Sequence, residues 1–334
     1  MGWWTEIWTK PAEDWVFAWL NPEQVPGASA AKEAEADTDY LSVFLKSARV
    51  VNVRKGLTTF YGTVHSYIQL ENRSDGKAEF NAITTPAALK GVDAAGIDSV
   101  IQFNQRLLGP VPYVGGDFCV EIGLFSVAAA DLAGPYLDLI QNLSETAGVS
   151  YVSAALPFVG PILHGMKLLT DSQTATSLEI GFSTTMVKPR LGYCVAIRAP
   201  KSKLRVDSLR LDPSDFRLLD DTGVVTKYPY LVVEVAADKQ RADWSRIPDL
   251  SAAYKSVQTE YRGGRQKGVQ EALTAFQRIA FTCNDLVEED ARRLVEKVRG
   301  TFERMGPPVT SETRDGTSAD GAVPDLNEIE LYSP

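Results

Sequence analysis

The chain has 334 residues, of which 44% are hydrophobic, so it can bury one large core or two ordinary ones. Its 34 basic and 43 acidic side chains give a formal net charge of −9. Binding to a nucleic-acid backbone depends on clustered Lys and Arg that release counterions, so this charge disfavours nucleic acid as the main partner. The composition is typical of a soluble globular protein.

Three cysteines, Cys119, Cys194 and Cys283, stand singly in apolar stretches and form no Cys-x-x-Cys pair. This distribution predicts reduced, buried thiols in a cytoplasmic protein. The sequence predicts no signal peptide, because its opening has neither a basic start nor a continuous apolar core. The longest apolar run, residues 149–169, is interrupted by two prolines, His164 and Lys167, so it falls short of a standard membrane span.

The N terminus carries an aromatic stripe that we expect to be helical. At about 100° per residue, one narrow helical face would be shared by Trp4, Trp8, Trp15 and Trp19. Pro11 would interrupt a single helix, so the spacing predicts a short first piece and a second helix over residues 11–20, which Pro22 ends. Two uses of the stripe stay open: packing on the body of the same protein, or anchoring a protein partner.

Beyond a polar, alanine-rich linker, β-branched and aromatic residues dominate the chain for about 200 residues. Extended segments are predicted at residues 40–53, 60–71, 77–85, 120–126, 178–186, 193–198, 203–211 and 230–237. Asn72 to Gly76 is a hairpin turn that joins the second segment to the third. About eight strands without a strand–helix alternation predict an α+β fold built on an antiparallel β-sandwich.

Two of these strands share a Glu-Ile-Gly repeat. Its copies are Glu121-Ile122-Gly123, followed by Ser126, and Glu179-Ile180-Gly181, followed by Ser183. Either the repeat is a duplicated ligand loop, or it is a coincidence between two buried strands. Helical patterns between the copies predict a helical hairpin inserted at about 128–169. A further stretch, residues 93–108, has near-helical spacing and predicts a short helix that Gly109 and the prolines after it end.

Helical periodicity returns near the C terminus, at residues 250–261, 269–283 and 286–304, and predicts a C-terminal helical hairpin. Asn284 or Asp285 is expected to cap the last helix. The polar, acidic end of the chain predicts a disordered tail. The organisation expected from the sequence is an N-terminal segment 1–22, a linker 23–37, a sandwich body 38–247, helices at 248–305 and a tail at 306–334.

The motifs of common enzyme classes are missing from the sequence. His65 and His164 are about a hundred residues apart and match no zinc or triad pattern, and no glycine-rich nucleotide motif precedes a helix. His65 is expected to be a sheet-face residue. The sequence therefore predicts no catalytic residue and no cofactor.

One weak metal hypothesis concerns aspartates in predicted loops. Calcium candidates are Asp212, Asp215, Asp220 and Asp221. Loops at the end of a sandwich can bring carboxylates together on a hard cation, although this spacing matches no EF-hand. Acidic turns also arise because Asp accepts local backbone hydrogen bonds, so turn formation is the alternative use of these residues.

These observations favour a non-enzymatic protein-binding or adaptor module that acts through a β-sandwich body and an aromatic N-terminal anchor. Two other classes stay open. One is a membrane-acting effector whose residues 149–169 leave the core and insert into lipid, and the other is a carboxylate-dependent hydrolase.

Overall fold

The computed structural model describes residues 15–28, 32–51, 54–55, 58–73, 76–83, 101–128, 177–308 and 323–332. Within these ranges the fold is α+β, with three α-helices and antiparallel sheets. The strands are β1 (Trp15–Trp19), β2 (Tyr40–Arg49), β3 (Arg54–Lys55), β4 (Thr58–Glu71), β5 (Lys77–Ile83), β6 (Ile101–Pro112), β7 (Phe118–Ala128), β8 (Ser177–Met186), β9 (Gly192–Arg198), β10 (Arg210–Leu211), β11 (Leu218–Asp220), β12 (Gly223–Val224) and β13 (Tyr230–Asp238). The helices are α1 (Pro248–Arg262), α2 (Gln266–Thr282) and α3 (Glu288–Met305).

Two five-stranded antiparallel sheets share one hydrophobic core. The first sheet has the order β1-β9-β13-β2-β6, and the second has the order β3-β4-β7-β8, with β5 also paired to β4. Alternate residues of each strand face this core, as Leu41, Val43 and Leu45 do on β2. The short sheet β10-β11-β12 covers the other face of the first sheet, where Leu218 clusters with Val232.

The described part of the aromatic N terminus is a strand. Trp15 pairs with Arg198 of β9, and Trp19 pairs with Cys194. The prediction of a helix over 11–20 is therefore wrong for residues 15–19, while Trp4 and Trp8 lie outside the described residues. Residues four apart, such as Trp15 and Trp19, lie on one face in a helix and also in a strand. Phe17, two residues from each, shares that face only in a strand.

The helix predicted over residues 93–108 is also wrong where it can be compared, because residues 101–108 belong to β6. Register shifts in the pairing of β6 with β2 accompany the burial of two consecutive leucines, Leu107 and Leu108, which interrupts the alternation expected of a strand. β6 lies at the edge of the described sheet. Pro110 and Pro112 are tolerated there because a proline lacks an N–H donor, and one side of an edge strand does not need one.

The other predictions have mixed outcomes. The hairpin of β4 and β5 and the three C-terminal helices are confirmed. Residues 203–211, predicted as a strand, contain 3₁₀ turns and only the two-residue β10. The N-cap of α3 is Val287, so capping by Asn284 or Asp285 is wrong. The helical insertion at 128–169 lies outside the described residues, apart from Ala128 at the end of β7.

The end of the chain departs most from its prediction. Residues 323–332, expected to be disordered, pack against the helices. Their contribution to the helical core is Val323, Leu326, Ile329 and Leu331. Composition alone hides this packing, because the apolar side chains are interspersed with acidic ones and a groove on another part of the chain supplies their cover.

We expect Trp19→Ala to lower the free energy of unfolding by about 2 kcal/mol, because the ring packs against the core shared by the two sheets. Val187→Ala is the matched control, since Val187 is 68% exposed, and should change it by less than about 0.5 kcal/mol. Urea unfolding monitored by circular dichroism measures both. Equal effects for the two variants would contradict the position of β1.

Candidate functional site

The described part of the aromatic stripe closes the gap between the edges of the two sheets. Trp15 and Trp19 pack on the shared core, and Phe17 stacks on Phe182 of β8 with 5.1 Å between ring centroids. The guanidinium of Arg190 lies 5.4 Å from the Trp19 ring centroid. Two of the four predicted partner-binding residues are therefore packed within their own chain, and Phe17, 39% exposed, is the outermost ring of the strand.

The predicted calcium ligands are engaged in local contacts. Asp212 accepts hydrogen bonds from the hydroxyl of Ser214 and from its backbone N–H, the latter at 2.9 Å, and these two contacts lower the pKa of the carboxyl. Asp220 accepts bonds from the backbone N–H and the hydroxyl of Thr222, at 2.7 and 2.6 Å. Both carboxylates thus close turns of the kind that aspartate commonly forms.

The other two candidates pair with arginines. Asp215 accepts a hydrogen bond from Nε of Arg217 at 2.6 Å, which lowers the pKa of its carboxyl. Asp221 lies on the surface, 3.7 Å from a guanidinium nitrogen of Arg205. Across the described ranges, no group of three or more His, Cys, Asp or Glu side chains is placed to hold a metal ion.

His65 lies in the middle of β4 on the sheet face, as predicted, and is fully buried. Its ring meets Phe125 edge-on, with 5.1 Å between centroids, and Gly123 is its partner across the ladder. Neither ring nitrogen has a hydrogen-bond partner in the part of the chain that the structure describes. Burial lowers the pKa of the imidazole to about 3, so the ring is neutral near pH 7.

This burial predicts a pH dependence of stability. The pKa of His65 is lower in the folded state than in the unfolded state, so its contribution is complete above about pH 6.5 and is lost as the pH falls toward 3. Between pH 7 and pH 5 the free energy of unfolding should drop by about 2 kcal/mol through this residue. Urea unfolding of His65→Leu at the two pH values should show a drop smaller by that amount. An unchanged drop would contradict the lowered pKa of His65 in the folded state.

The Glu-Ile-Gly repeat is a pairing between neighbouring strands. Gly123 of β7 lies opposite Gly181 of β8 in an antiparallel ladder. Ser126 donates a hydrogen bond to Glu179 at 2.6 Å, and Ser183 donates one to Glu121 at 3.3 Å. Each strand thus supplies a serine to the glutamate of the other, and the register shifts after Leu124, so that Phe125 lies opposite Leu178. The copies lie in strands, not in loops.

Within the described ranges, a cluster of buried polar groups lies where the first sheet, the helices and the C-terminal segment meet. Asp290, 1% exposed in the first turn of α3, accepts hydrogen bonds at Oδ2 from the hydroxyls of Tyr40 (2.7 Å) and Tyr332 (2.6 Å). Nη1 of Arg293 donates to Oδ1 at 2.8 Å. The Tyr40 hydroxyl accepts the backbone N–H of Val287 at 3.1 Å. Burial and the neighbouring carboxylate raise the pKa of both tyrosines, so both hydroxyls remain donors.

Arg241 is the second centre of this network, and its side chain is fully buried. Its backbone N–H donates to the Tyr332 hydroxyl at 2.7 Å. Its guanidinium donates to a carboxylate oxygen of Asp243 at 2.7 Å and to the backbone carbonyl of Asp285 at 2.9 Å. A buried, paired guanidinium fixes the chain between β13 and α1, because removal of one partner leaves an uncompensated charge.

The groove that receives the C-terminal segment is formed by α1 and the preceding turn. The Tyr254 hydroxyl and the Gln258 amide both donate to the backbone carbonyl of Pro324, at 2.9 and 2.8 Å. Asp325 and Glu328 form a reciprocal capping box around one 3₁₀ turn, which orients the aliphatic side chains toward the helices. A cavity of about 700 Å³ remains beside the segment, lined in part by Trp244.

Sequence reasoning missed this groove, although one local signal was present. Asp325-Leu-Asn-Glu328 is the spacing of a capping box, and it is followed directly by Ile329 and Leu331. That pattern indicates a short ordered turn with an apolar side. The residues that receive it, on α1, are about 70 positions away and give no such signal.

No protein-family model, no curated protein and no solved structure matches this chain. No helix in the described ranges is long and apolar enough to cross a membrane.

Proposed function

We propose that the protein is a non-enzymatic protein-binding module, and that the groove on α1 binds a short segment of a protein chain that combines acidic and aliphatic side chains. One observation carries this proposal: the groove already holds such a segment, residues 323–332 of its own chain. Partner segments of the same chemistry would compete with it.

The mode of recognition supports binding of a peptide. Two side chains of α1 are directed at a backbone carbonyl, a contact that does not depend on the identity of the ligand residue. Specificity would come from the aliphatic side chains that enter the helical core. Basic side chains near the groove, among them Lys255 and Arg246, complement a segment that carries Asp325, Glu328 and Glu330.

The two sheets serve in this proposal as a rigid body, which we interpret as a β-sandwich with the helices attached at one end. The aromatic anchor of the N-terminal hypothesis depends on Trp4 and Trp8, because Trp15 and Trp19 are packed in the sheet. The membrane-acting hypothesis concerns residues 149–169, outside the described part. The hydrolase hypothesis concerns aspartates that bind local turns and arginines.

Occupation by the chain's own segment makes it a built-in competitor. Residues 309–322 connect the segment to the helices, and covalent attachment over a connection of that length gives an effective concentration on the order of millimolar. A partner segment of similar affinity would bind poorly until the internal one is released. The proposal therefore predicts weak binding by the intact chain.

A site for a specific protease, placed within residues 309–322, tests this prediction in the full chain. After cleavage and removal of the released peptide, the protein should bind a fluorescent peptide of residues 321–334 at least tenfold more tightly than the uncleaved chain does. Fluorescence anisotropy measures both affinities. Leu326→Ala in the peptide should weaken binding roughly 30-fold, because its side chain enters the core.

Asn327→Ala is the matched control peptide, because Asn327 is exposed within the same turn, and it should bind like the unmodified peptide. Gln258→Leu in the protein should weaken binding of every peptide by a similar factor, since Gln258 contacts the backbone. Equal affinity for the unmodified and Leu326→Ala peptides would contradict the proposal. Global unfolding on cleavage would also contradict it, because the segment would then be an obligatory part of the core.

A further inference from the structure

The last described residue of the segment, Tyr332, contacts groups that do more than line the groove. Its hydroxyl donates a hydrogen bond to Asp290, which also accepts one from Tyr40 of the first sheet. The same Tyr332 hydroxyl accepts a hydrogen bond from the backbone N–H of Arg241. One side chain of the segment thus bonds to the start of α3 and to the chain that leaves β13. Both of these partners are buried.

The register of the first sheet brings these contacts to one end of two neighbouring strands, β2 and β13. Tyr40 opens β2, Asp238 closes β13, and the two residues are partners across the ladder. Next to them, Lys239 lies 2.8 Å from the carboxylate of Asp39. Only the Asp290 carboxylate therefore lies between the Tyr332 hydroxyl and Tyr40 at the start of β2. On the other side, Tyr332 bonds directly to Arg241, shortly after the end of β13.

We infer that Asp290 couples occupancy of the groove to the packing of the first sheet. The segment then acts as a conformational switch on the contact between α3 and β2, and not only as an occupant of the groove. This inference rests on the proposed function. If Tyr332 leaves, the Asp290 carboxylate keeps Tyr40 and Arg293 but loses a donor in a site that is 1% exposed. A buried carboxylate with less compensation moves toward its remaining donors or admits water, and either response alters the contact of α3 with β2.

The coupling gives the ligand a second requirement. Aliphatic side chains at the positions of Leu326, Ile329 and Leu331 suffice to occupy the groove, but a hydroxyl donor at the position of Tyr332 is needed to complete the Asp290 site. Segments with a tyrosine at that position would bind and restore the sheet contact, whereas segments with phenylalanine there would bind without restoring it.

Hydrogen exchange followed by mass spectrometry on the intact chain tests the inference with Tyr332→Phe. We expect exchange to rise roughly tenfold in peptides that cover residues 38–44 and 285–290, which corresponds to the loss of one hydrogen bond to a charged group. Peptides from 323–331 should keep their protection, because the aliphatic contacts remain. Tyr40→Phe also removes the acceptor of the Val287 N–H, so it should raise exchange at 285–290 by at least as much, and the double variant should be no worse than Tyr40→Phe alone.

Tyr254→Phe is the matched control, because it removes a hydroxyl that contacts the segment at Pro324 but not Asp290. It should raise exchange near residues 323–326, while Tyr332 keeps its contact with Asp290 and residues 38–44 keep their protection. The inference is overturned if Tyr332→Phe leaves residues 38–44 unchanged, or if Tyr254→Phe raises their exchange as much as Tyr332→Phe does. These results are independent of the cleavage assay. A groove that binds added peptide but does not affect the sheet fails only the exchange test, whereas a groove that binds no added peptide fails the cleavage assay.

Discussion

The arrangement of this molecule depends on the need to satisfy one buried carboxylate. Asp290 is removed from water at the junction of three parts of the chain, and each part supplies a donor to it or to its immediate neighbours. A charge in a site of low dielectric is tolerated only with such compensation. Tyr40 therefore fixes α3 on the first sheet, and the same requirement selects Tyr332 as the end of the docked segment.

Two hydrophobic cores adjoin the Asp290 site, one between the sheets and one among the helices, and they differ in how far their packing depends on that site. The core between the sheets is continuous and involves strands whose apolar residues alternate along long ladders, so its cohesion is intrinsic. The helical core, in contrast, includes four side chains from a segment of ten residues. A short segment contributes little order by itself, so its order depends on the groove and on the Asp290 site.

The sequence allowed prediction of features governed by neighbours in the chain. The β4–β5 hairpin follows from turn chemistry at residues 72–76, and α1 to α3 follow from periodicity. The aromatic strand was missed because Trp15 and Trp19 are four residues apart, a spacing that fits both the helical and the strand period. β6 was missed because its irregular pairing buries two consecutive residues, Leu107 and Leu108. The Asp290 site joins Tyr40 to a residue 250 positions away, and no local pattern encodes such a contact.

The C-terminal segment shows why composition predicts disorder in the wrong place. A window rich in acidic residues lacks the apolar area to fold alone, and that statement is correct for residues 323–332 considered in isolation. Order arises because α1 supplies donors for the Pro324 carbonyl and the helices supply cover for Leu326 and Ile329. The order of the segment is thus conditional on a surface elsewhere in the molecule. A segment whose order depends on such a surface contributes stability only while it is docked there, as a ligand does in a linked equilibrium.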